Sequence, residues 1–327
     1  MEARIRALAA HAPEKTLSNE ELTKFVDTTD EWIFSHTGIR SRHIAAADES
    51  ASDIALPACR KVLESTGTSA EEIDLILVAT STPDYISMPS TACIIQHQLG
   101  ANAAGAMDIT AACSGFVYAL EIARNFVVAG SARNVLVVAT EVYSKIVNWK
   151  DRNTCVLFGD GAGAALVSPA DDSRRGLLHH AFLRSDGSGA ESLVRLHGGT
   201  RRPTNADSTE ADLMLSMDGR KVYNFAVRAV NETILEVLER EKLTIDDIDY
   251  FVPHQANVRI IEAAAKRLGA PVERFYMNME RYANTSASSI PLAIGEMQDR
   301  GLLKPGMKLI TIGFGAGLTY GGGLIEW

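Results

Sequence analysis

The stretch Asp108-Ile-Thr-Ala-Ala-Cys113-Ser-Gly-Phe-Val-Tyr-Ala-Leu120 ends a short apolar run and opens a long apolar helix almost at once. Ala111, Ala112, Ser114 and Gly115 are all small, as a tight strand-to-helix elbow requires when its central side chain must reach a ligand. Cys113 then stands at a helix N-terminus, where the positive end of the helix dipole favours thiolate over thiol. Polarity in the following helix is confined mainly to Glu121, Arg124 and Asn125, so the sequence predicts a helix buried on most sides and running to about Gly130. A free cysteine among alanines is usually a small buried hydrophobe, and Cys113 needs partners before it reads as chemistry.

Outward from the elbow, Ile73 to Thr80 and Val135 to Thr140 read as buried strands. Ser52 to Ser65 and Ala92 to Leu99 read as helices, closed near Gly67 and Gly100. Nearer the N-terminus, Ile5 to Ala10 suits a strand, and Ser18-Asn-Glu-Glu21 a capping box opening a short helix over Glu20 to Val26. Asp30 to Gly38 follows as a helix or loop carrying Trp32. The second half repeats this order. Glu72-Ile-Asp-Leu-Ile-Leu-Val78 resembles Asp247-Ile-Asp-Tyr-Phe-Val252, each is followed by a helix ending in Leu-Gly-Ala, and Val135 to Thr140 has a counterpart in Lys308 to Gly313. The matches lie about half the chain apart, which predicts a duplicated α/β unit with halves at 1–170 and 171–327. Alternating strands and helices imply mainly parallel sheets with helices on both faces. The segment from Pro169 to Asp218, rich in Asp, Ser, Gly and Arg, is the natural boundary.

Composition narrows the function classes. With 46% hydrophobic and 22% charged residues, the 327-residue chain can bury a sizeable core. A net charge of −9 argues against nucleic acid as the main partner. Acid and base at Glu2, Arg4 and Arg6 do not fit a signal peptide, and no run reaches the roughly eighteen apolar residues of a membrane span. Cys59, Cys93, Cys113 and Cys155 lack metal-ligand spacing, so the expectation is reduced thiols in a cytoplasm and no metal. Phe158-Gly-Asp-Gly-Ala-Gly163 and Gly313-Phe-Gly-Ala-Gly317 lead into strand-like runs too short for the helix of a nucleotide loop. They read instead as tight strand–turn–strand connections with close backbone approach.

His254, in Val252-Pro-His254-Gln-Ala-Asn257, falls just past the end of a buried strand, where ligands of open α/β sheets bind. Asn284, in Ala283-Asn284-Thr-Ser286, precedes another helix. A solvated histidine and a capping asparagine are ordinary readings of each alone. Cys, His and Asn each at the start of a helix, on two halves that face each other, can converge on one cavity.

These residues carry a resemblance. Asp30-Glu-Trp32 with Thr37-Gly-Ile-Arg40, Ala111-Ala-Cys113-Ser-Gly115, Phe158 to Gly163, Val252 to Asn257, Asn284-Thr-Ser286 and the glycine-rich tail are similar, in this order, to the β-ketoacyl-acyl carrier protein synthase III family. The likeness runs from about Pro13 to the C-terminus. It implies a thiolase-like α/β fold, two βαβαβ-type halves in a layered αβαβα arrangement, and a homodimer. It also implies initiation of fatty acid synthesis without a permanently bound cofactor. An acyl-CoA primer acylates Cys113, and malonyl-acyl carrier protein then loses carbon dioxide and attacks the thioester. His254 and Asn284 would donate to the enolate oxygen, and the Cys113 and Ala316 amides to the tetrahedral oxyanion.

The resemblance further implies a CoA site at Thr28, Trp32, Arg152, Met217, Gly219, Tyr223, Ala256 and Asn257, with Trp32 and Arg152 stacking on the adenine. Gln255, Ala256, Asn257, Val258 and Arg259 match the carrier-protein segment, and Lys266 and Arg267 extend a basic helix face toward an acidic carrier. Met88 matches a position that closes the acyl pocket across the dimer interface, and its flexibility suits a primer longer than acetyl. The chain departs from the family pattern at His36, Asn224 and Ala283, where arginine, lysine and glycine are common. A papain-like cysteine hydrolase shares the order Cys, His, Asn, but the sequence lacks Cys-Gly-Ser-Cys-Trp. A non-catalytic subunit would keep the fold, but the presence of Cys113, His254 and Asn284 together speaks against it. A relative making quinolones or polyketides fits the same residues.

Overall fold

Every residue except Ser173 is described by the structure, a computed structural model. The N-terminal half opens with β1 (Ala3–His11). Helix α1 (Asp30–Thr37) is capped by Thr29, which accepts from the Trp32 N–H, and ends at Gly38 in the left-handed region, φ 79°. Then come α2 (Ala51–Thr66), β2 (Leu75–Ala79), α3 (Thr91–Leu99) and β3 (Gly105–Ile109). The elbow leads into α4 (Gly115–Val128), followed by β4 (Val135–Val142) and β5 (Asp160–Pro169). The Ser18 capping box forms, but its helix is only Asn19–Leu22, shorter than its sequence suggests.

Two short strands, β6 (Leu177–Leu178) and β7 (Phe182–Ser185), pass into the C-terminal half. It contains α5 (Gly219–Glu241), β8 (Tyr250–Pro253), α6 (Val258–Leu268), α7 (Ser289–Asp299), β9 (Lys308–Gly315) and β10 (Thr319–Glu326).

Side-chain alternation along the strands builds the layers. Leu75, Leu77 and Ala79 of β2 face α4 and α7, whereas Ile76 and Val78 pack with α2 and α3. Val135, Val137 and Ala139 of β4 repeat the inward set, and Leu136 and Val138 the outward one. On the other half, Leu309 of β9 joins the central helices while Ile310, Ile312 and Phe314 pack with α5 and α6. The order is α2/α3, sheet, α4/α7, sheet, α5/α6, the five-layered αβαβα arrangement expected. The hydrophobic face of α4 is therefore covered on both sides, which explains why Phe116, Ala119 and Ala123 are fully buried.

The strands follow the order β8-β9-β10-β6-β1-β5-β4-β2-β3, with β7 also on β10, because two-residue β6 pairs with both β1 and β10 and joins the sheets. Pairing is parallel for β2 with β3 and β4, and for β8 with β9. It is antiparallel for β1 with β5, β4 with β5 and β9 with β10. The expectation of mainly parallel sheets is thus corrected. Each half ends in two neighbouring strands joined without a crossover helix that packs back on the sheet, so direction reverses, through a tight turn from β9 to β10 and through residues 143–159 from β4 to β5. In the C-terminal half the counterpart of β3 is reduced to one parallel bridge between Phe251 and Phe275.

The two halves match in detail at their central helices. Short 3-10 turns, Ala112–Ser114 and Ser286–Ser288, precede α4 and α7. Ala112 and Ser286 occupy equivalent places and are both left-handed, with φ 46° and 50°. Such a conformation costs a non-glycine residue about 1–3 kcal/mol, which packing on both sides of the helix must offset. Cys113 and Ala287 are the matching next residues.

The first glycine-rich stretch is not a strand–turn–strand connection, since Gly161 and Gly163 lie within β5 itself. Their purpose is close approach: a Cβ on Gly163 would lie 2.5 Å from Pro291 Cβ of α7. Gly163→Ala is expected to lower stability by about 1–3 kcal/mol through overpacking. Urea unfolding followed by circular dichroism would register this as a lower midpoint, and an unchanged midpoint would mean that α7 shifts freely. The second stretch does form the tight turn between β9 and β10.

Candidate active site

Three chain reversals bring the sequence-predicted trio to one place. Cys113 stands in the turn before α4, His254 just past β8, and Asn284 just before the turn into α7. All three line one cavity of about 390 Å³ and are almost wholly buried, at 3%, 1% and 6% exposure. Trp32, Arg152, Met217, Gly219, Tyr223, Ala256, Asn257 and Arg259 line the same cavity. Arg152, Tyr223 and Arg259 are exposed, so the cavity descends from a cationic and aromatic rim to a buried polar floor.

Local structure fixes each floor residue. A Cβ on Gly315 would sit 2.7 Å from the Cys113 backbone nitrogen, so only glycine lets the end of β9 close over the elbow. Thr319 Oγ1 lies 2.9 Å from both the Ala111 and Ala316 carbonyl oxygens, tying the turn after β9 to the elbow. The Asn284 backbone donates to Leu157 O and accepts from Gly159 N–H. Its Oδ1 accepts from the Ser286 N–H at 2.9 Å, which leaves the Nδ2–H groups for the cavity. His254 Nδ1 is 2.7 Å from Ser289 Oγ, which itself donates to Ser286 O at 2.8 Å. In that arrangement Nδ1 carries the imidazole proton. Rotation of the Ser289 hydroxyl onto Nδ1 gives the other tautomer, with Nε2–H turned to the cavity.

Burial controls the charge of the floor. Desolvation pushes the Cys113 thiol up to about 12, with the nearby Glu141 carboxylate adding to the rise and a Ser286 hydrogen bond opposing it. The expectation of a depressed thiol is therefore corrected: removal from water raises it, and Cys113 rests as a thiol. Desolvation likewise holds His254 down at about 3, so its imidazole is neutral at any ordinary pH. The floor thus offers one nucleophilic sulfur and two neutral hydrogen-bond partners.

At the rim, Trp32 stacks on His36, with centroids 4.4 Å apart and planes at 18°, and the Arg152 guanidinium carbon lies 4.7 Å from its ring centroid. His36 thus turns one departure from the family pattern into an aromatic contact. Asn257 caps α6 and donates to His36 O, joining rim and helix.

Other expected residues lie elsewhere. Gln255 has no exposed surface; its Nε2 donates to Pro253 O and Tyr276 O, and its Oε1 accepts from the Asn278 N–H. With its amide occupied inside the fold it cannot meet a carrier protein, which corrects that assignment. Val258 packs on Gly38, whereas Lys266 and Arg267 are exposed in the last turn of α6. Ala316 follows Gly315 without lining the cavity, and Thr28 lies outside the lining with its Oγ1 buried and unpaired among the described residues. Met88 is 77% exposed and outside the cavity, and Asn224 is exposed on α5. Ser289 and Glu141 are buried neighbours of the trio that sequence reasoning misses, and Ser286, quoted there only within a motif, bonds to Asn284 Oδ1 through its N–H and to Glu141 through its hydroxyl. A charge inside the apolar run Val135–Val142 is the available signal for Glu141, but a strand ended at Thr140 stops one residue short of it. Among the described residues no cluster of metal-ligating side chains occurs and no helix is long and apolar enough to cross a membrane.

A duplicated five-layered α/β fold with this floor defines a condensing enzyme of the thiolase-like class. The chain belongs to the 3-oxoacyl-[acyl-carrier-protein] synthase III family, whose model matches residues 107–187 and whose C-terminal model matches residues 238–327. It is 48% identical over 324 residues to the β-ketoacyl-[acyl-carrier-protein] synthase III of Caldanaerobacter subterraneus subsp. tengcongensis, covering 99% of this chain and 97% of that one. The crystal structure of the synthase III from Thermus thermophilus is similar at 44% identity and a TM-score of 0.91, covering 99% of both chains. The priming β-ketosynthase of the R1128 polyketide pathway is similar at 38% identity and a TM-score of 0.91, over 99% of this chain and 96% of that one.

Proposed function

We propose that the chain starts fatty acid synthesis by condensing an acyl-CoA primer with malonyl-acyl carrier protein, carrying the acyl group on Cys113. The carrying observation is that Cys113, His254 and Asn284 meet at the buried floor of a cavity whose rim presents Trp32 beside Arg152. The half spanning 1–170 supplies the nucleophile and the half spanning 171–327 supplies His254 and Asn284.

In the first stage the cavity admits the pantetheine arm past Met217, Gly219, Tyr223, Ala256 and Asn257, with Trp32 and Arg152 on the adenine and Thr28 nearby. Cys113 Sγ attacks the thioester, and the Cys113 and Ala316 amides receive the oxyanion. In the second stage malonyl-carrier docks on Arg259, Lys266 and Arg267, cations suited to an acidic partner. Loss of carbon dioxide needs no base. It needs donors at the thioester oxygen as the enolate forms, and His254 Nε2–H and Asn284 Nδ2–H are such donors in a dry site. The carbanion then attacks the acyl-Cys113 thioester. No permanently bound cofactor takes part, and the free cysteines Cys59, Cys93, Cys113 and Cys155 fit a reducing cytoplasm.

The exposed apolar run of Tyr85, Ile86 and Met88 supports a homodimer in which Met88 closes the partner's acyl pocket. The likeness to a polyketide priming enzyme keeps a secondary-metabolite primer as the second reading. One experiment tests both: intact-protein mass spectrometry after exposure to acyl-CoAs of graded length, with the adduct mapped by peptide. An adduct on Cys113 is expected, with primers longer than acetyl accepted through the flexible Met88. Acylation elsewhere overturns the reading, and acetyl alone overturns the Met88 role.

A further inference from the structure

Ser286 stands between the two side chains that the proposed mechanism uses as donors. Its backbone N–H donates to Asn284 Oδ1 at 2.9 Å, and its carbonyl oxygen accepts from the Ser289 hydroxyl, whose oxygen lies 2.7 Å from His254 Nδ1. When that hydroxyl turns to Nδ1, the Asn284 contact remains. Ser286 keeps this place at φ 50°, a left-handed conformation that persists in a non-glycine residue only where its surroundings enforce it. Ala112, at the equivalent place before α4, adopts φ 46° with no polar side chain, so the turn itself does not require a hydroxyl.

The Ser286 hydroxyl is directed at the other half of the molecule. Its Oγ donates to Glu141 Oε1 at 2.9 Å. Glu141, in β4, is fully buried and lies outside the cavity lining. Its Oε2 accepts from the Ser81 N–H at 3.0 Å and the Thr82 hydroxyl at 2.9 Å, and Thr82 Oγ1 in turn accepts from the Val142 N–H at 2.8 Å. One carboxylate oxygen is thus fixed by the loop after β2, and the other meets the Ser286 turn. A buried carboxylate adds little stability over an apolar side chain of the same volume, so packing alone does not call for one here.

We infer that Glu141 is a positioning residue for decarboxylation: acting through Ser286, it holds Asn284, and with it His254, in the geometry of the enolate donors. The inference rests on His254 and Asn284 being those donors. The Cys113 elbow has its own contacts with Gly315 and Thr319, so acylation does not depend on Glu141. Donors act through distance and angle together, and a misplacement of about 1 Å can cost about 10² in rate.

The test measures the two stages separately in Ser286→Ala and Glu141→Ala. Release of radiolabelled carbon dioxide from malonyl-carrier reports decarboxylation, and mass spectrometry of Cys113 after exposure to acetyl-CoA reports acylation. Burial raises the Glu141 carboxyl to about 7, so rates are compared at about pH 8, where it is ionised. Ser286→Ala removes the hydroxyl alone: alanine tolerates the turn, as Ala112 does, and Glu141 keeps its Ser81 and Thr82 donors. Carbon dioxide release is expected to fall at least about tenfold in kcat with little change in KM, while acetylation stays within about threefold. On the Glu141→Ala background, Ser286→Ala should slow release by less than about threefold, since its link is already gone. Parental release from Ser286→Ala overturns the inference. So does an equal loss of both stages, which marks a merely structural role, or a Ser286→Ala loss of the same size on both backgrounds. Glu141→Ala leaves three donors without their acceptor, and if circular dichroism shows that it does not fold, Ser286→Ala decides alone. His254→Ala, assayed in parallel, separates the two ideas. Parental release there sinks the donor reading and this inference with it, whereas slowed release there beside parental release from Ser286→Ala sinks only the role of Glu141.

Discussion

Cys113→Ser is expected to abolish primer uptake and to reduce condensation at least about a thousandfold. The exchange of sulfur for oxygen is small, so the elbow, the contact with Gly315 and the burial at 3% should survive. What changes is nucleophilicity. The thiol, although pushed up to about 12 by burial, still ionises far more readily than a hydroxyl in the same dry site. Incubation of the variant with acyl-CoA should leave its mass unchanged, and circular dichroism should match that of the parent. A variant acylated at the parental rate would mean that the carrier residue lies elsewhere.

His254→Ala and Asn284→Ala are expected to slow malonyl-carrier decarboxylation by about 10² to 10³ each while Cys113 still takes up acyl groups. The split follows from geometry. Both side chains line the cavity floor, and in the proposed mechanism each supplies a donor needed only when enolate charge develops. The histidine variant is the cleaner one, because Asn284 Oδ1 also holds the Ser286 N–H and its loss loosens the turn into α7. The pH dependence carries a sign as well. With His254 held at about 3, acidification through 6.5 should not remove the decarboxylation step by charging the ring. Radiolabelled carbon dioxide release would measure the rate, and parental release from either variant would disprove the donor role.

The elbow is the most legible part of the chain. Small residues around Cys113, apolar faces on α4 and glycine stops at Gly67 and Gly100 are local features, and local physics fixes them. The repeat is also readable, since it needs only pattern. Strand direction is not, because β5 and β10 reverse through connections whose geometry depends on what they pack against. The trio can be placed at helix starts, but Gln255 beside it reads as a surface residue, and only the fold reveals its amide bonded to Pro253, Tyr276 and Asn278. Nor can spacing show that burial raises the Cys113 thiol, because desolvation sums over neighbours far apart in sequence.

The place of α4 and α7 has a historical consequence. Each helix is covered by its own sheet on one side and by the other half on the opposite side, so neither half closes its inner core alone, although each packs an outer one. A half-length ancestor could have hidden that face only against a second copy of itself, as a two-fold pair of separate chains. In a single chain the two elbows need not be identical: one carries sulfur at Cys113, and its counterpart carries Ala287.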